Sequence, residues 1–341
     1  VPRIYFATNR NPINPGPANR PTDYGNTLSQ HGLADLRFGW ADRAANGRIT
    51  VVTAAEDLGQ GPTGTPVVGS MSAQKLGSEE VFSKIRKEMS NNKIDCMAYI
   101  HGFNFTFREA LERTFELKTF YAARDMVWIV FSWPSDGQMI PLKSYYSDRY
   151  DAMASAAALA RGLQKMAHYL RELPPADYCQ QSLHLMAHSM GNYALRHAIQ
   201  RIRTSGTSLL RRLFDEILLL AADEDDDAFE LDYKLKPLPE MAKRVSIYIN
   251  PADRALVISD KTKQNPDRLG AGGPQRVWEI PTKVSVIDCE NATGGKPDAT
   301  RHQYYRLSTK VRNDILQVLA GKASEAISGR SFVSEKNLYR L

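Results

Sequence analysis

The sequence predicts an α/β fold: a mostly parallel central sheet with helices on both faces. Three observations predict it. From Ser78 onward strand-like and helix-like segments alternate, the order that builds parallel sheets through helical crossovers. Met126 to Trp133 is a nearly continuous apolar run, as a strand covered on both faces requires. Leu183 to Ala187 passes straight into Ser189 and Gly191, and then into a segment with Leu195, Ile199 and Ile202 on one side. That is strand, tight turn and helix.

The chain divides into an N-terminal extension, 1–75, whose edge strands lie on the main fold, and the main α/β domain, 76–341, together one unit. In the extension, residues 3–8 and 49–54 are β-rich and are expected to pair. Leu36, Phe38 and Trp40 alternate in an edge strand, and Pro- and Asn-rich 9–23 reads as loop. A helix over 78–89 leads to a strand over 94–100. Thr106, with Glu109 three residues on, caps a helix reaching about Phe120. The spacing of Leu159, Leu163, Met166 and Leu170 predicts one long helix over 147–173, ended by Pro174 and Pro175. Strands follow over 213–222, 241–249 and 284–289, then a helix over 309–319 and a polar tail.

Composition excludes several classes. No apolar run of membrane-spanning length occurs, and the opening residues read as a strand, not a signal peptide. The net charge of +6 comes from scattered basic residues. The densest group, Arg201, Arg203, Arg211 and Arg212, has no interleaved aromatics, so a solvated face is expected and no nucleic acid. Cys96, Cys179 and Cys289 have no metal-ligand spacing and suit a reducing, cytoplasmic compartment. No phosphate-binding glycine motif follows a strand, so no cofactor is expected. The stretch Leu269 to Pro274 reads as a flexible turn, and the acidic run 223–227 as a solvated rim.

Ligands of such sheets bind beyond the carboxyl ends of the strands. Ser189 lies there, as do Asp253 and, after the last strand, His302. Serine, acid and histidine in this chain order fit the nucleophile, acid and base of an α/β hydrolase. Ser189 needs an imidazole to take its proton, and His302 needs an acid to fix its tautomer. The backbone N–H groups of Phe103, behind the small Gly102, and of Met190 would meet the oxyanion. Asp223 and Asp225 compete with Asp253 for the acid, and His101 with His302 for the base. His101 reads instead as a brace for the loop carrying Phe103.

Ile-His-Gly-Phe-Asn-Phe-Thr-Phe-Arg-Glu-Ala-Leu (100–111), Phe-Ser-Trp-Pro-Ser-Asp-Gly (131–137), His-Leu-Met-Ala-His-Ser-Met-Gly-Asn (184–192) and Asp-Arg-Ala-Leu (253–256) resemble a bacterial family of α/β hydrolases of unknown function, often called DUF900. Phe-Ala-Thr-Asn-Arg (6–10) resembles its N-terminal signature. The resemblance implies the α/β-hydrolase fold and the same site residues. In many members a glycine precedes the final histidine; here it is Arg301.

The expected activity is carboxylic ester hydrolysis through an acyl-serine, with a small-molecule or lipid ester as substrate. Phe105, Trp133, Tyr145, Tyr146 and Tyr193, with Phe103, are the candidate lining. Connectors 134–146 and 256–278 are candidate lids, the second hinged at Gly270, Gly272 and Gly273. Lys261, Lys263, Arg268 and Arg276 in it would favour an acidic substrate. The alternatives are a serine peptidase, amidase or acyltransferase on the same residues, and a non-catalytic interaction module on a hydrolase fold.

Overall fold

The computed structural model describes residues 1–14, 20–54, 77–135, 141–204, 212–256, 267–292 and 298–341. The N-terminal part forms β1 (Arg3–Thr8), β2 (Arg10–Asn14), β3 (Asp23–Leu28), β4 (Arg37–Arg43) and β5 (Ile49–Thr53). Then come α1 (Gly77–Asn92), β6 (Asp95–Ile100), α2 (Phe107–Phe120), β7 (Met126–Ser132), α3 (Pro141–Ala154) and α4 (Ala156–Glu172). β8 (Leu183–His188), α5 (Met190–Thr204), β9 (Phe214–Leu220), β10 (Ala242–Ile249) and β11 (Val284–Asp288) follow. The chain closes with a helix, Thr309–Leu319, and two short strands, β12 (Ser331–Val333) and β13 (Leu338–Arg340).

One sheet takes the order β12-β13-β11-β10-β9-β8-β6-β7-β1-β4-β5. Every neighbour pair from β13 to β1 is parallel, and the ends are antiparallel. Strand residues alternate between two cores. Val127 and Phe131 join α1, α4 and α5 on one face, while Met126, Trp128 and Val130 join α2 and the helix Thr309–Leu319 on the other. A strand buried on both sides needs apolar residues at every position, hence the continuous runs. Each large side chain so buried contributes about 1.5–3 kcal/mol. The mostly parallel sheet with flanking helices is the α/β-hydrolase-like architecture expected from the sequence.

Several expectations need correction. Residues 3–8 and 49–54 do not pair directly: β4 lies between β1 and β5, and β5 is the edge. Within 9–23, Arg10–Asn14 forms β2, which pairs with β3 in a separate ribbon. The single helix over 147–173 is two, interrupted at Ser155, whose hydroxyl accepts from Asn9 at 2.9 Å. The polar tail returns to the sheet, β13 adding in parallel to β11. Gly270 is no hinge. Leu269–Gly272 is a helical turn, and a Cβ on Gly270 would stand 2.2 Å from the Ala222 nitrogen, so the glycine permits a close backbone approach.

Candidate active site

β6 is flanked by β7 on one side and β8 on the other, so the connections leave in opposite directions at the carboxyl ends of β6 and β8. That reversal opens the crevice in which such sheets bind ligands. Ile100 pairs with Ala187, which sets the His101–Phe103 loop against the turn at Ser189. Ser189 has φ +52°, a left-handed backbone that a non-glycine residue holds only under constraint. The constraint is visible. Ser189 N–H donates to Leu220 O (3.0 Å), its carbonyl accepts from Asp223 N (3.2 Å), and Asn192 Nδ2 donates to the Ala187 and Ser189 carbonyls (3.2 and 3.0 Å). A Cβ on Gly191 would lie 2.6 Å from His101 O, and one on Gly102 would lie 2.9 Å from Ser189 Cβ. Glycine at both positions lets turn and loop close together. Among the described residues nothing hydrogen-bonds the Ser189 hydroxyl.

Asp253 and His302 meet. His302 Nδ1 donates to Asp253 Oδ2 at 2.6 Å, and Asp253 is fully buried. Oδ1 of Asp253 accepts from Ala255 N and Leu256 N (3.0 and 3.2 Å), which orients the carboxylate. The two loops are tied by Arg254 N to Thr300 O and Asn250 Nδ2 to Arg301 O, both 2.8 Å. Below His302, Tyr304 donates to Tyr248 O and accepts from Ala221 N. Arg301, just before His302, has φ +56°, the left-handed region that favours glycine. Arg301→Gly should leave thermal stability within about 1 kcal/mol of the parent. Arg301→Val, β-branched at positive φ, should lose about 1–3 kcal/mol in chemical denaturation.

Asp223 and Asp225, the rival acids, are committed elsewhere. Asp223 Oδ2 accepts from Tyr145 OH at 2.6 Å. Arg268 reaches Asp223 at 3.6 Å and Asp225 at 2.6 Å, and Lys234 reaches Asp225 at 2.9 Å. The acidic run is therefore an ion-paired cluster and not a solvated rim: Asp223 and Glu224 are buried. Burial raises Glu224 to about 7, against the pull of Arg196. Arg268 is itself buried there and is not a surface attractant for substrate. Lys261 and Lys263 lie outside the described residues, as do 136–140 and 257–266 of the candidate lids.

His101 serves the loop. Trp133 N–H donates to its Nε2 (3.2 Å), so Nδ1 carries the proton and donates to Gly102 O (2.8 Å). Trp133 is fully buried, stacked on His101 at 5.1 Å, and its indole N–H donates to His101 O. It supports the loop from behind and presents no face to a substrate, unlike the expectation. Phe103 and Tyr145 face each other at 6.0 Å. Tyr146 is exposed, Phe105 lies between His101 and Arg113, and the guanidinium of Arg149 covers Tyr193 at 3.7 Å. No group of metal-ligating side chains occurs among the described residues.

The next three N–H groups of the loop after Phe103 are spent. Asn104 and Phe105 donate to Ser135 Oγ (2.7 and 3.2 Å), and Thr106 donates to Glu109 in a capping box. Phe103 N–H has no partner among the described residues, and Met190 N–H opens α5, where helix N–H groups lack internal acceptors. Ser135 Oγ donates its own hydrogen bond to buried Asp148. Arg10, also buried, donates to Phe105 O at 2.6 Å and to Ser132 Oγ at 2.9 Å. Sequence reading missed Arg10, Ser135 and Asp148.

His188, the residue before Ser189, underlies the site. Its ring lies 4.7 Å from that of His302, and Nε2 donates to His302 O at 3.3 Å. Burial, with His302 adding to it, holds His188 well below the usual histidine range, and burial takes His101 to about 3. Both are neutral in the fold and charged when unfolded below about pH 6.5. Stability is thus full above that value and falls as pH drops toward 3, by about 1.4 kcal/mol per pH unit for each histidine. Glu224 acts in the opposite sense, so the clean measurement is a difference. Urea unfolding between pH 4 and 6.5 should show a slope about one proton smaller in His101→Gln. An equal slope would mean that His101 is already charged in the fold.

The sheet, its reversal and the serine turn are those of the α/β-hydrolase fold. The chain belongs to the family described as alpha/beta hydrolase of unknown function (DUF900), whose model matches residues 77–321. A comparison with curated proteins finds no match.

Proposed function

We propose that the protein is a serine hydrolase that cleaves carboxylic esters through an acyl-serine intermediate. The observation that carries this reading is the 2.6 Å Asp253–His302 pair, whose imidazole lies 4.7 Å from that of His188, the residue before a strained serine with an uncommitted hydroxyl. Asp253 holds Nδ1–H, leaving Nε2 of His302 as the base. Ser189 Oγ attacks the ester carbonyl carbon as Nε2 takes its proton. The developing oxyanion is met by the N–H groups of Phe103 and Met190. The tetrahedral adduct expels the alcohol, which leaves with the proton from Nε2. Water then repeats the sequence, its proton passing through His302, and releases the acid and free Ser189. Phe103 and Tyr145 supply aromatic walls suited to an apolar acyl group.

A fluorophosphonate probe tests the reading directly. Mass spectrometry should find one adduct, on Ser189, lost in Ser189→Ala and strongly slowed in His302→Ala. Folded protein that stays unlabelled, with and without detergent, would eliminate an activated serine and leave the fold as an interaction module.

A further inference from the structure

At the edge of the sheet opposite Ser189, the amino ends of β6, β8 and β9 surround a cavity of about 290 Å³. Ile85 and Met89 of α1 and Tyr169 of α4 close its sides, with Cys96, Leu183 and Phe214 at the strand starts. A second void of about 60 Å³ adjoins it, and Phe82, Ile129 and Met166 wall both. The second void reaches Ile100 and Phe131 near the carboxyl ends of β6 and β7. From Cys96 to Ile100 a strand advances about 13 Å. The two voids thus follow one another along the sheet as a narrow apolar track, and the adaptable thioether of Met166 is one of their shared walls. Its inner end is almost wholly apolar, so water there has no partners.

The mouth is different. Arg86 and Arg212 stand at it with Asp215. Asp215 is matched by Lys243. Arg86 is matched by Asp177: one nitrogen donates to Asp177 O at 2.9 Å and to Asp177 Oδ1 at 3.2 Å. Arg212 makes no ion pair among the described residues. With Arg86 and Asp215 each matched, exposed Arg212 leaves one uncompensated positive charge at the end of a long apolar slot, which fits a chain with one anionic end. A cavity of about 150 Å³ accepts benzene, so this one has room for roughly a dozen heavy atoms.

We propose that this track is a second, non-catalytic site that binds a linear aliphatic monocarboxylate of medium chain length. The tail lies between α1 and α4, and the carboxylate meets Arg212. The site is independent of the ester-hydrolase reading, and its test does not use the serine.

Decanoate, below the concentration at which it forms micelles, is titrated calorimetrically into the full chain carrying Ser189→Ala. Cys179 on the cavity wall is half-buried and serves as a local reporter of maleimide labelling, because burial keeps the Cys96 and Cys289 thiols protonated. One decanoate should bind per chain and slow Cys179 labelling. Arg212→Ala should weaken binding about tenfold, the loss of one charge-assisted contact. Met166→Trp, which fills the shared wall, should abolish it, and Leu213→Phe at the mouth gives the same test where Met166→Trp does not fold. Butanoate, too short to fill the track, should not protect Cys179. The proposal is overturned by absence of protection, by equal protection from decyltrimethylammonium, or by binding indifferent to both the arginine and the cavity-filling change.

Discussion

Ser189→Ala is expected to lower kcat for a p-nitrophenyl ester by roughly four to six orders of magnitude, with KM little changed. The hydroxyl is the only group removed, and the Phe103 and Met190 N–H groups proposed to bind the carbonyl remain. Asp253→Asn should cost about 10⁴-fold, because the amide favours the wrong tautomer of His302 while preserving the contact's shape. The single amide oxygen accepts from Ala255 and Leu256 only if the amide is correctly turned, so some loss of stability is expected as well. Ser189→Gly separates the two effects. It removes the hydroxyl and relaxes the positive φ, so it should be inactive yet more stable than Ser189→Ala by up to about 1 kcal/mol. Residual ester hydrolysis within tenfold of the parent in purified Ser189→Ala would move the chemistry to another residue.

The parts of this molecule legible in its sequence share a property: their signal is local. A strand covered on both faces declares itself through a continuous apolar run, as Met126–Ser132 does, whatever its neighbours are. The turn at Ser189 is legible because Gly191 and the segment after it must suit one tight bend, and Thr106 with Glu109 because a capping box spans four residues. Placing Asp253 and His302 beyond strand ends was also a local inference, and the fold brings those two side chains into contact. What escaped depends on distant partners. β4 separates β1 from β5 because of pairing register, which no single strand encodes. The acidic run 223–227 looks solvated until Arg268, more than forty positions on by the numbering, is folded against it. The break at Ser155 coincides with a hydrogen bond from Asn9, near the start of the chain.

Arg10 and Ser135 are the clearest case of such long-range support, and they carry the second large prediction. Ser135 Oγ uses its full hydrogen-bonding capacity: it accepts from Asn104 and Phe105 and donates to Asp148. Ser135→Ala leaves Phe105 N–H without its acceptor, removes the shorter of two bonds from Asn104 N–H, which keeps Asp148 Oδ2 at 3.2 Å, and takes one donor from buried Asp148, which should cost about 1–3 kcal/mol of stability. The same change frees the loop to turn Phe103 N–H away from the crevice, so kcat should fall by about 10²-fold or more. Arg10 holds the loop from its other side, through Phe105 O. Burial lowers its pKa to about 9 against the attraction of Asp148 and Glu109, so it is charged at neutral pH. It comes from β2, before the segment 77–321 that the family model matches, and so ties the N-terminal strands to the candidate oxyanion site. Arg10→Lys keeps the charge but loses the fork that reaches Phe105 O and Ser132 Oγ together, and should reproduce the kcat loss with a smaller stability loss. Ser135→Thr, which retains the hydroxyl, should recover most of the activity. Kinetics measured well below each variant's melting temperature distinguish the roles. A fall in kcat at constant KM marks both residues as positioning groups for Phe103 N–H, whereas losses that track only the folded fraction would reduce them to parts of the scaffold.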